Sequence, residues 1–77
     1  MTGNQDLERA ILDAHAEGDG DRLAVLYSEA GQAAESRGSI DQACFFYTQA
    51  YVFALDTGDD VLARELKQKL VVYGREE

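Results

Sequence analysis

The sequence predicts an all-α chain of four antiparallel helices folded as stacked helical hairpins. Three observations predict it. Proline is absent and strong helix formers prevail among the 77 residues. Glycines at Gly18, Gly38 and Gly58 cut the chain into segments of helical length, each glycine followed by an Asp or Ser suited to cap the next helix. Within the segments, apolar residues recur at helical rather than alternating spacing. The expected helices cover about 5–17, 21–37, 40–56 and 59–73 of a single domain.

The first helix ends at Gly18-Asp19-Gly20, where Asp19 or Asp21 is placed to cap the second. On that second helix Leu23, Leu26, Tyr27, Ala30, Ala33 and Ala34 share one stripe, and Ser28, Glu29, Gln32, Glu35 and Ser36 lie opposite. Val25 interrupts this polar face. Small residues at Gly31, Ala34, Ala43 and Ala50 leave room for close approach of the second and third helices. Ser39 followed by Gln42 reads as a capping box opening the third helix.

The third helix is apolar nearly all the way round. Ala43, Phe46, Tyr47, Ala50, Phe53 and Ala54 form an inner stripe that Cys44, Tyr51 and Leu55 widen, while Phe45 and Val52 fall among Thr48, Gln49 and Asp56. Such a helix is either central and buried on most sides, or presents Phe45 and Val52 to another chain. In the fourth helix, capped by Asp59, Leu62, Leu66, Leu70 and Tyr73 follow a core spacing. Val61, Val71 and Val72 are left on the polar side as groove or dimer contacts, or as simple surface valines.

An internal repeat supports the division. A shift of 40 residues superposes Ala10 on Ala50, Ala14 on Ala54, Gly18 on Gly58, Asp19 on Asp59 and Leu26 on Leu66. From Leu23 to Asp56 the chain resembles a tetratricopeptide repeat. Tyr27 matches the first aromatic of that family, Ala30-Gly31 the pair in which an apolar residue precedes glycine, and Ala43, Tyr47 and Ala50 the pattern of the second helix. Ala30 and Ala34 are smaller than usual, and Leu55 stands where the family's terminal proline is expected. The resemblance implies a right-handed superhelical fragment and a protein–protein interaction module.

It further implies a peptide groove on the inner face of the first helix of each pair. Carried onto this chain, that face is Val25, Ser28, Gln32 and Glu35, with Glu65, Gln68 and Val72 as counterparts on the fourth helix. Members that grip a terminal carboxylate use Lys and Asn where Ser28 and Gln32 stand, so a chaperone-tail ligand is disfavoured. Apolar anchors at Val25, Phe45, Val52 and Val72 would carry binding, with Gln32 and Glu35 supplying hydrogen bonds and charge.

Composition bounds the partners. Formal net charge is −8, concentrated in residues 1–60, which argues against free nucleic acid and for a neutral or basic protein segment, unless the charge serves solubility alone. No apolar run approaches the length of a membrane span, and the first residues lack the basic and apolar regions of a signal peptide. A lone Cys44 fits a reducing compartment, so the expected location is cytoplasmic. No catalytic set, metal site or cofactor motif emerges: His15 is the one histidine, and the Asp19-Gly20-Asp21 turn lacks the closing ligands of a calcium loop. A single small core supplies only about 3 to 5 kcal/mol, so the competing reading is a structural homodimer that shares a core through Phe45, Val52 and Val61.

Overall fold

The computed structural model describes residues 3–75. Four helices follow one another: α1 (Gly3–Glu17), α2 (Gly20–Ser36), α3 (Ile40–Thr57) and α4 (Asp60–Val72), with no strand among the described residues. Each bound lies within two residues of its sequence expectation. Packing is sequential, α1 on α2, α2 on α3 and α3 on α4, in a slab of 32 × 30 × 14 Å.

One stop signal ends all four helices. Gly18, Gly38, Gly58 and Gly74 have φ of 68°, 79°, 79° and 74°, a left-handed conformation that a side chain would disfavour. The residue after each glycine returns its N–H to the carbonyl five residues back: Asp19 to Ala14, Ser39 to Ala34, Asp59 to Ala54 and Arg75 to Leu70, at 2.8–3.0 Å. This satisfies carbonyls that the helix itself leaves without donors.

The 40-residue repeat is therefore visible in the hydrogen bonding. Asp19 accepts from the Arg22 N–H at 3.1 Å and Asp59 from the Leu62 N–H at 3.2 Å, at equivalent places. Ala14 and Ala54, also equivalent, are both fully buried.

Ser39 departs from this. Its side chain makes no capping hydrogen bond, and the Gln42 side-chain oxygen accepts instead from Arg37 Nη2 at 3.2 Å. The expected capping box is absent: the Ser39 N–H that the Gln would cap is already donated to Ala34, and the Gln side chain is held by Arg37. Asp59→Ala should therefore cost about 1 kcal/mol in urea denaturation, and Ser39→Ala no more than a few tenths.

The core is built largely from alanine. Ala14, Ala34, Ala43, Ala50 and Ala54 are completely buried, and the largest fully buried side chains are Tyr47, Leu66 and Leu70. The space at Gly31 is filled by a ring rather than by another backbone: a methyl group there would overlap Cδ1 and Cε1 of Tyr47. At the other end of the same helix pair, Gly20 lies against Thr57, whose Cγ2 would be 2.9 Å from an added Cβ.

The slab also sets how far α3 is buried. A body only 14 Å thick leaves no position where a helix is surrounded. Phe45 and Val52 are accordingly more than half exposed, and Leu55, expected to widen the inner stripe, is 54 % exposed. On α4, Leu66 and Leu70 are buried, whereas Val61, Val71 and Val72 are exposed. The chain thus exposes several large apolar side chains outside a core rich in alanine.

Candidate functional site

Two hollows flank the α2–α3 hairpin. The larger, about 610 Å³, opens where the first half of α1, the second half of α2 and the first turns of α3 come together. Leu7, Ile11 and Leu12 line it from α1, Phe45 and Phe46 from α3, and Tyr27, Ala30 and Ala33 from α2. Glu8, Arg37 and Gln42 complete the lining.

Helical geometry places its projecting residues. Successive positions on a helix lie 100° apart, so Phe45 and Phe46 point in different directions. Phe46 is half-buried and Phe45 is 59 % exposed. Ile11 and Leu12 divide in the same way, leaving Leu12 66 % exposed.

The groove is backed by an aromatic cluster. Phe45 meets Phe46 edge-on at 5.6 Å between ring centroids, and Tyr27 stacks on Phe46 at 6.2 Å and on Phe53 at 5.9 Å with planes only 5° apart. His15 sets its edge against both Tyr27 and Phe53 at 6.0 Å, and its Nε2 lies 3.0 Å from the Tyr27 hydroxyl. Such contacts, favoured by the charge distribution of the rings, fix the wall against which a ligand would press.

The smaller hollow, about 470 Å³, lies between α2 and α4 and is lined by Glu35, Glu65, Gln68, Lys69, Val72 and Tyr73. It gathers four of the residues assigned by resemblance to a peptide groove: Glu35, Glu65, Gln68 and Val72. Val25, Ser28 and Gln32 are on α2 outside its lining.

Glu35, expected to serve a ligand, is engaged within the protein. The hydroxyls of Tyr47 and Tyr73 both donate to its carboxylate, and Lys69 Nζ lies 3.1 Å from Oε1. The Tyr47 bond foremost, then the Tyr73 bond, then Lys69 hold the carboxyl at about 2, against an opposing push from burial. Burial, reinforced by the bond to Glu35, pushes the Tyr47 hydroxyl up, and the bond to Glu35 pushes Tyr73 up. The Lys69 ammonium also sits 5.2 Å from the Tyr47 ring centre. This knot joins α2, α3 and the end of α4.

The remaining candidates are dispersed. Val52 lies two turns along α3 from Phe45 and Val61 in the first turn of α4, both exposed and both outside the two hollows. Cys44 is buried. Among the described residues no group of three or more His, Cys, Asp or Glu is placed to hold a metal ion, and no helix is long and apolar enough to cross a membrane.

Leu7, Leu12 and Arg37 were not legible as site residues from the sequence. The signal available was the adjacent apolar pair Ile11-Leu12, whose members point 100° apart on the helix.

Fold and geometry together define an all-α protein with an open apolar groove at the end of the bundle that holds the α2–α3 turn. No known protein family, curated protein or solved structure matches the chain.

Proposed function

We propose that this chain is a non-enzymatic, cytoplasmic protein–protein interaction module of tetratricopeptide-repeat type, and that its docking surface is the groove between α1 and α3. One observation carries the reading: an apolar groove of about 610 Å³ with Phe45 and Leu12 projecting from opposite walls, on a chain whose own core is mostly alanine. Exposed large apolar side chains gathered around a concave surface mark a site that another chain covers.

The helical-repeat assignment draws support from the sequential packing and from the contents of the α2–α3 contact. Ala43 and Ala50 are buried there, and the Tyr47 ring occupies the space Gly31 leaves. The hollow between α2 and α4 is the weaker candidate surface, since Glu35 is already satisfied by three internal partners. His15 is set against two aromatic rings and Cys44 is buried.

A net charge of −8 repels acidic partners at long range, so the segment received is neutral or basic. Immobilised peptides of equal apolar content and opposite charge provide the test. At dilute protein, the neutral and basic peptides should be retained and the acidic ones should not. Phe45→Ser should abolish retention while leaving the helical circular dichroism unchanged. Retention indifferent to Phe45→Ser would contradict the assignment of the groove.

A further inference from the structure

The groove differs from the rest of the surface in charge. On a chain of net charge −8, its lining holds one acid, Glu8, and one base, Arg37. The opposite end of the bundle contrasts with it. There the Gly18 and Gly58 turns are surrounded by Glu17, Asp19, Asp21, Asp56, Asp59 and Asp60, against which stands Arg22, paired with Glu17. Two copies meeting at that end would oppose like charges, which disfavours the pairing, whereas two copies meeting at the groove would not.

The net charge of −8 on each copy opposes their approach at long range, but that repulsion is screened beyond about 8 Å at physiological salt, leaving the one acid and one base of the groove to act at contact. The surface that complements one acid and one base is another carrying one base and one acid. A twofold contact supplies this automatically, because the same patch serves both sides and every pairing occurs twice. Shape agrees with charge: each groove offers both an apolar hollow and, in Phe45, an exposed ring of the kind that anchors interfaces.

We infer that the occupant of this groove is a second copy of the chain, docked about a twofold axis, with each Phe45 ring in the other's groove and Arg37 of each copy opposite Glu8 of the other. The inference rests on the docking role proposed above for the same groove. Arg37 donates to Gln42, also in the lining.

The test is sedimentation equilibrium of the full chain from low micromolar to near-millimolar concentration, with variants checked for helical circular dichroism. The mass should rise toward two copies, and Phe45→Ser should hold it at one. Arg37→Glu and Glu8→Arg should each weaken association about tenfold or more. The double reversal should recover it to within about threefold of the original, because the two charges again attract across the axis. A single-copy mass at the highest concentration would overturn the inference, as would a dimer untouched by Phe45→Ser or a double reversal no better than the single ones. A chain that stays single yet retains peptides through Phe45 overturns self-docking and leaves the interaction module standing. Loss of both overturns both.

Discussion

Gly31→Leu is expected to leave the chain largely unfolded at 25 °C. Even a methyl at this position would overlap two carbons of the Tyr47 ring, and the ring has nowhere to go. Tyr47 is fully buried, its hydroxyl is tied to Glu35, and Lys69 covers its face. Accommodating a leucine means expelling the ring, and losing a buried aromatic side chain costs about 3 to 5 kcal/mol. That is comparable with everything a core of this size supplies. The milder Gly31→Ala makes a sharper test of sign. In an ordinary helix interior it stabilises by roughly 0.5 to 1 kcal/mol; here it should destabilise. A melting temperature for Gly31→Ala equal to or above that of the parent would show that the ring does not occupy this space.

Glu35→Gln is expected to have the next largest effect, and to change the acid response as well as the stability. Glu35 joins three helices through Tyr47, Tyr73 and Lys69. An amide in its place accepts less strongly and carries no charge for Lys69, so about 1 to 3 kcal/mol should be lost at neutral pH. The carboxyl is held at about 2 in the folded protein against an ordinary 4.5. The unfolded chain therefore binds a proton first as pH falls. The stabilisation from Glu35 is complete above about pH 4.5 and lost progressively toward pH 2. Urea midpoints of parent and Glu35→Gln should thus differ by a constant amount from neutral pH down to about 5 and converge below it. A difference that persists unchanged at pH 2 would contradict the knot.

What the sequence made legible follows from how local each cause is. Helix ends were readable because a glycine with positive φ and a following Asp act over five residues; Gly18-Asp19 and Gly58-Asp59 do so in the structure. Ser39-Gln42 failed by the same logic, since Ala34 and Arg37, both outside the motif, engage the Ser39 N–H and the Gln42 oxygen. Core stripes on α2 and α4 were readable from periodicity, but periodicity counts apolar faces and not neighbours. The burial of α3 depended on the slab being too thin to surround it, which no stripe reveals.

The candidate site was less legible, for a physical reason. Phe45 stood out because α3 has more apolar residues than one face can bury. Its partners across the groove, Leu7 and Leu12, lie more than thirty residues away on α1, and only the tertiary arrangement joins them. Glu35 was assigned to a ligand by its place on the inner face that the family resemblance implies. That Tyr47 and Tyr73 converge on it from two other helices is again long-range information.

The groove between α1 and α3 is proposed to be where two copies of this protein meet. Amide NMR of labelled protein, titrated with unlabelled protein of the same sequence, tests it most directly. Shifts should grow with concentration at Leu7, Leu12, Arg37 and Phe45, and stay small at Val25, Val61 and Val72. Shifts centred on the Val61 and Val72 face of α4, or none at any concentration, would contradict it.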